Sequence, residues 1–529
     1  MKKVLLPLLL LLSVGYASLA QQGNISGDLM MTVNFFQRDT SIKASDNQLY
    51  DNFLSGGEGW LGLRYSGHGF TANVRFDAFH NSNLLNPTSA LTASGIGMFS
   101  LSKEIKDLTI TAGHIYDQIG SGILFRAYED RGLLIDNALF GLHLKYRLKN
   151  NITVKGFTGQ TKYLFERYQP ILKGISAEGD LEISDKLFCT PGIGFVNRTM
   201  DQNSMNLIVS TINSLPASER FVPVYNSYAA TVYNTLNAGD ISLYTEAAIK
   251  SREAVATDAG LQNVMGSVLY GTLGYAKSIF GINASVKHTN NFMMRTSPNE
   301  LLLRGLYNWQ PIIAQIRPQR VIARYTPPSQ DLSEMASTIN AFITPNQELS
   351  FNLSYTHINT LAGDTLYREA FAEAEIRSVD NFIFHVGFQY LVYNQALYQQ
   401  KVKEEYPNVI ALTPFAEVVY RISDQKSIRS EIQYMHTRQD YGSWLFGLLE
   451  FNIASKWSFA LTDMYNIQPN LKHVKKAQHY PNIFMARTYG PHRFTAQYVK
   501  QVEGINCTGG VCRYEPAFSG FRIGIISTF

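Results

Sequence analysis

Beyond residue 20 the chain has no apolar stretch long enough for a spanning helix, because charged residues interrupt every run. Crossing the hydrocarbon core as a helix takes roughly 20 apolar residues. The 529 residues contain no Pro/Gly/Ser-rich linker and no shift of composition that would mark a domain boundary, although length alone would allow about three domains. A net charge of +4 is too small to imply a nucleic-acid partner. Cysteine is scarce, 3 in all, and none lies near the N-terminus, which argues against a lipoprotein anchor. There is no G-x-S-x-G elbow, no P-loop, no H-E-x-x-H and no Cys-x-x-Cys. The 11 His are scattered, among them His143, His357, His385 and His436. A Ser/His/Asp triad spread over neighbouring strands would leave no linear motif, but nothing here points to one. No cofactor, no metal and no enzymatic activity are expected.

What the sequence does have begins at its ends. Met1-Lys2-Lys3, the apolar run Val4–Leu12 and the small residues Ser18 and Ala20 form a secretory signal over residues 1–20, with cleavage expected before Gln21. The full sequence carries 12% aromatics and 17% charge. Over 21–529 its pattern is alternation. Ile25, Leu29, Met31, Val33 and Phe35 oppose Ser26, Asp28, Thr32 and Asn34. Phe70, Ala72, Val74 and Phe76 oppose Thr71, Asn73, Arg75 and Asp77, and the same holds over 141–148, 241–250 and 369–377. Period two sustained over about ten residues is a strand. One apolar and one charged face, repeated end to end, is the transmembrane-barrel form of that signal.

Short turns supply the topology. They recur at 66–69, 103–107, 149–151, 184–186, 237–240, 278–279, 344–347, 378–381, 423–426, 455–456 and 490–492, often alternating with longer connections. Short periplasmic turns and longer outer loops are the asymmetry of outer-membrane barrels. Eleven such turns, with both termini on the periplasmic side, predict an all-β, antiparallel, up-and-down barrel of about 24 strands, within a range of 20 to 26 and an even number. The least certain registers fall near 160–185 and 440–470.

The outer loops are the places for specific function. Residues 291–331 carry Arg295, Arg304, Arg317, Arg320 and Arg324 against only Glu300 and Asp331. This is either an anion- or partner-binding lid or a loop whose arginines pair with the barrel's own carboxylates. Residues 117–137 are dense in charge and glycine; this is either an inward-folded hairpin that narrows the bore, with Asp117, Arg126, Glu129, Asp130 and Arg131 pairing with lumen charges, or a plain exposed loop. Within 503–516, Cys507 and Cys512 bracket a Gly-Gly turn, which in an exported protein favours a local disulfide. Cys189 is left over, as a buried or lipid-facing thiol. The mixed charges of 400–408 suggest a short helix. Glu373, Glu375 and Arg377 share a strand face as an ion-pair ladder.

The closing segment Arg522–Phe529 resembles the closing-strand signal of outer-membrane β-barrels, which the barrel-assembly machinery reads. Phe521, Ile523, Ile525 and Phe529 lie on one face and Arg522, Gly524 and Thr528 on the other, with Ser527 departing from the usual apolar residue. Together with the 116–132 segment and the Cys507–Cys512 hairpin, it makes the mature chain similar to a family of uncharacterised outer-membrane β-barrel proteins of Bacteroidota that carries a domain-of-unknown-function label. The resemblance implies a fold and a location, the outer membrane of a Gram-negative cell, and no reaction. Two functions are then open: a pore or transporter for small solutes occluded by its loops, or a non-catalytic scaffold subunit of an envelope secretion or assembly complex. Lipid, the assembly machinery and other envelope proteins are the expected partners.

Overall fold

A computed structural model describes residues 23–86, 89–149, 151–257, 260–300, 304–328, 332–474, 476–508 and 511–529, the side chains of 505–508 and 511–513 excepted. The expected signal segment, 1–20, lies outside the described residues.

One sheet holds every long strand. It contains 25 strand segments, of which Glu166–Gly179 and Leu181–Ser184 both pair with Leu187–Thr199 and are the two parts of one strand. The wall is therefore 24 antiparallel strands, and it is closed. Closure comes from the first strand, Gly23–Phe36, pairing with the last, Phe518–Thr528, in the register Asp28↔Thr528 to Phe36↔Gly520. A closed cylinder leaves no sheet edge at its seam.

The eleven short turns expected from sequence all lie at one end. Left-handed residues at His68, Lys106, Lys149, Ser278 and Ser455 occupy several of them, as tight hairpins require. The outward face of the wall is apolar: Ile175, Ile193, Val232, Ile249 and Leu269 are each more than half exposed. Aromatic pairs bound this belt, with Phe382–Tyr420 and Trp457–Phe459 near the turns and Phe195–Tyr228 and Tyr498–Phe521 nearer the loops. An apolar band roughly 25 Å tall between aromatic girdles is what a bilayer imposes. Water would not tolerate so large an apolar surface. Cys189 lies on this outward face and donates to Asn234.

The inward face is polar and, on the loop side, buried, with Arg75, Glu246, Lys250, Lys287 and Glu369 each at 2% exposure or less. One sequence expectation is corrected here. The short helix expected at 400–408 is instead Gln395–Gln399, capped by the Asn394 side chain. Gln400 takes a left-handed conformation and ends it, so the charged residues follow as turns.

Candidate functional site: a filled lumen beneath an outer vestibule

The wall is not of even height. Strand Leu108–Ile115 has only 8 residues. Gly113 explains why it stops: its φ is +104°, and a Cβ there would stand 2.5 Å from the carbonyl oxygen of Phe99. Only glycine takes that backbone conformation at so close an approach. The chain then turns into the lumen as two small hairpins, Gln118–Ile119 with Phe125–Arg126 and Glu129–Asp130 with Ile135–Asp136. It rejoins the wall at Leu139–Leu148.

The first hairpin is apolar at its tip and docks on the inner wall. Ile119, Ile123, Leu124 and Phe125 are at most 1% exposed and share a core with Leu172, Val196 and Ala229. Phe125 stacks on Phe157 with ring centroids 4.3 Å apart. Gly194, on the facing strand, makes the room: a Cβ there would lie 2.4 Å from Cγ2 of Ile119. Ser121 donates from both its backbone N–H, 3.0 Å, and its hydroxyl to the buried Glu246 carboxylate.

The second hairpin is held by charge. Arg75 donates to Asp77 on its own strand, and across the lumen to Glu129 and, at 2.8 Å, to Asp136. Lys162 completes the cluster on Asp136, and Tyr116 donates its hydroxyl to the same carboxylate at 2.9 Å. Of the residues marked by the sequence, Asp117 sits between His143, 3.0 Å, and Lys155, 2.9 Å. Arg131 joins Glu129 and Asp28, at 2.9 and 2.8 Å. Two depart from the expected pairing. Arg126 lies over the rings of Tyr128 and Trp309, at 4.6 and 4.7 Å. Asp130 accepts from the Leu133 backbone N–H and so closes its own turn. Burial raises the Asp117 carboxyl, and His143 and then Lys155 outweigh it, so the group stays below its usual 3.8. Asp136 is likewise raised by burial and drawn below 3.8 by Lys162 and Arg75.

The long connection 291–333 also folds inward, and it docks on the first insert. Arg126 N–H donates to Tyr307 O at 2.9 Å and Trp309 N–H to Gly122 O at 3.0 Å. Asn308 Nδ2 donates to Ile123 O at 3.0 Å, and Asn137 Nδ2 to Leu306 O at 3.1 Å. Ile313, Ala314, Val321 and Tyr325 then pack into a second core that reaches Ile358, Leu391, Trp444 and Phe518 on the other half of the wall. Arg317 pairs with the fully buried Glu369 and lies over Phe371 at 3.7 Å. Arg324 pairs with Asp440 at 3.4 Å, beside the Tyr325 hydroxyl, which donates to the same carboxylate at 2.8 Å. Burial raises Asp440, and Arg324 followed by Lys401 brings it below 3.8. Arg295 donates to the Arg304 carbonyl at 2.8 Å, while Arg304 and Arg320 are exposed.

Above the two inserts lies a cavity of about 1400 Å³. Of the residues singled out from sequence it brings together Glu129, Asp130, Arg131, Arg295, Arg304 and Arg324, and it leaves Asp117, Arg126, Arg317 and Arg320 outside its lining. Arg75, Asp77, Asp136 and Lys162 were not singled out, yet they form the clamp on its floor. Arg75, Asp77 and Lys162 are marked in sequence only by their place on strands, and Asp136 only by closing the charge-dense 117–137 segment; Arg75 and Asp136 are 61 residues apart. Among the described residues no group of three His, Cys, Asp or Glu is placed to hold a metal ion.

The last outer connection carries the hairpin Gly504–Thr508 and Val511–Glu515, in which Cys507 and Cys512 are register partners. Their side chains lie outside the described residues. In the closing strand, Arg522 donates to Asn34 at 2.7 Å. A Cβ at Gly524 would meet the Thr495 hydroxyl at 2.6 Å. Phe529 is exposed at 60% and exchanges backbone hydrogen bonds with Gly27.

A model of DUF6029, a family of unknown function, matches residues 1–529. The chain belongs to that family. No curated protein sequence matches this DUF6029 member. Among solved structures it is similar to the P pilus usher (PapC) translocation pore, with 9% identity, a TM-score of 0.45, and coverage of 96% of this chain and 99% of that one. It is also similar to the siderophore receptor PirA from Pseudomonas aeruginosa, at 7% identity, TM-score 0.44, and 96% and 81% coverage. A third is OpdK from Pseudomonas aeruginosa, solved with vanillate, at 13% identity, TM-score 0.35, and 70% and 93% coverage.

Proposed function

We propose that this DUF6029 protein is an outer-membrane barrel that passes small solutes through a lumen occluded by its own inserts, and that it is not an enzyme. The observation that carries this is the pair of inserts, 116–138 and 291–333, docked on each other and on both halves of the inner wall. A cylinder of about 24 strands is wide enough to leak unless something fills it, and a polar, mixed-sign lining is that of a water-filled path. The charged clamp around Arg75 would be the constriction, and the vestibule above it the point of solute entry. The same proposal takes residues 1–20 as a cleaved export signal, the Arg522–Phe529 strand as the segment read during insertion, and Cys507–Cys512 as a disulfide in the outer loops.

Planar-bilayer recording of the purified chain tests this. The intact protein should give small or rare single-channel steps. A chain with residues 118–137 replaced by a short Gly-Ser bridge should give large, steady ones. Silence from both chains, with other envelope proteins co-purifying, would overturn the pore in favour of a scaffold.

A further inference from the structure

The barrel wall has a notch. Strand Leu91–Ile105 pairs along its whole length with Phe70–Ser82 on one side, but on the other side only Ser100–Ile105 find a partner, in Leu108–Gly113. The next two strands end at Ile115 and Leu139. Above them the edge Leu91–Phe99 has no ladder partner among the described strands. The two truncated strands leave a gap of about 10 Å at the usual spacing of ~4.8 Å per strand.

The gap opens at the upper margin of the apolar belt, where the outward edge passes from Phe99 and Ile96 to the exposed polar Ser94 and Thr92. Ile96 and Phe99, on its border, are 53% and 46% exposed on the outward face. In hydrocarbon an open strand edge is costly and persists only where protein or a cavity covers it. Two features provide that cover. An aromatic sill closes the bottom, where Phe99, His114 and Phe140 meet with centroids 5.0 to 5.5 Å apart. Above it, the tip of the hairpin Tyr163–Glu166 leans across, and its Phe165 ring meets Phe79 edge-on at 6.1 Å. Gly95 lets the ring in, since a Cβ there would stand 3.3 Å away. One side chain therefore bolts the notch. Directly behind it the cavity is lined by Trp60, Phe79, Leu84, Leu85, Leu133 and Leu134, an apolar wall next to the charged floor at Arg75 and Lys162.

We propose that this notch is a lateral entry from the bilayer, and that its occupant is the hydrocarbon tail of a single-chain amphiphile, which reaches the vestibule when the Phe165 tip swings aside. The occupant follows from position. The lower rim of the opening meets lipid at Ile96 and Phe99, and behind it Trp60 and Phe79 offer an apolar surface beside the charged Arg75 and Lys162. An amphiphile arriving tail-first from the membrane matches both ends of that path. The proposal shares the vestibule with the pore reading but uses a different route and a different readout.

The test uses the full chain in liposomes loaded with a diazirine-bearing fatty acid, irradiated and mapped by mass spectrometry. Label should appear on inward Trp60, Phe79 or Leu133, as well as on lipid-facing Ile175, which serves as the internal reference. Phe165→Ala should raise the inward label several-fold. Gly95→Cys combined with Phe165→Cys, in a Cys189→Ser background, should reduce it to background when oxidised and restore it on reduction. Inward residues left unlabelled while Ile175 is labelled would overturn the lateral entry, as would inward label that neither substitution changes. Loss of conductance with inward label retained would sink the solute pore and leave the lateral entry standing.

Discussion

Two arginine–carboxylate clusters face the same lumen and have opposite surroundings. Arg75, with Asp77, Glu129, Asp136 and Lys162, lies under the first insert, and its side chain is 2% exposed. Arg429, with Glu417, Glu431 and Glu450, is 33% exposed, and of its carboxylates only Glu431, at 4%, is buried. The chemistry is the same; the cover differs. In the dry cluster each charge depends on its partners, because an unpaired ion in a low-dielectric site is expensive. In the wetter cluster water reaches Arg429, Glu417 and Glu450, and their pairing contributes less. The first is a clamp and the second a lining.

Replacing residues 118–137 by a Gly-Ser bridge removes the cover outright and has the largest expected effect. Conductance should rise from near silence to steady open steps, and since the bridge also removes Glu129 and Asp136, Arg75 keeps only Asp77 and its substitution should then cost little. Arg75→Ala comes next. It leaves Asp77 without its cation, while Glu129 and Asp136 keep Arg131 and Lys162; a broken buried pair costs about 3–5 kcal/mol, to be read as a lower denaturant midpoint for unfolding from lipid vesicles. Gly194→Leu attacks the same clamp from the apolar side by driving a side chain into Ile119 and Leu124. Overpacking of this kind costs about 1–3 kcal/mol, and the displaced insert should show as flickering conductance.

Acid should separate the clusters as well. Asp117 and Asp136 both titrate below 3.8 in the folded chain. A depressed carboxyl contributes stability that is fully present above the unfolded pKa and is lost as pH falls through the folded one. The insert should therefore stay clamped from neutral pH down to about 4 and release only below that, seen as conductance that opens in strong acid and not near pH 6. Smallest of all, Arg429→Ala should change stability by no more than about 1 kcal/mol, while shifting ion selectivity toward cations as three carboxylates lose their counter-ion.

The wall was legible in sequence because lipid on one face and water on the other force period two, and polar turn residues punctuate it. The 490–492 turn and the strand that follows it needed no tertiary knowledge. The inward fold of 117–137 was legible from its density of charge and glycine, but the partners were not. Arg126 looks like any other cation of that segment, yet the face of Trp309, brought by a connection far along the chain, decides its surroundings. The truncation of Leu108–Ile115 was hidden for a different reason. Thr109–His114 alternates as well as any strand, and the stop depends on a backbone conformation at Gly113 that alternation does not record.

Arg131 grips Asp28, a residue of the very first strand, whose outer edge must wait for the final strand before the cylinder is complete. The plug is thus fastened to the seam itself: the strand that the last one completes also carries a contact to the filling of the lumen.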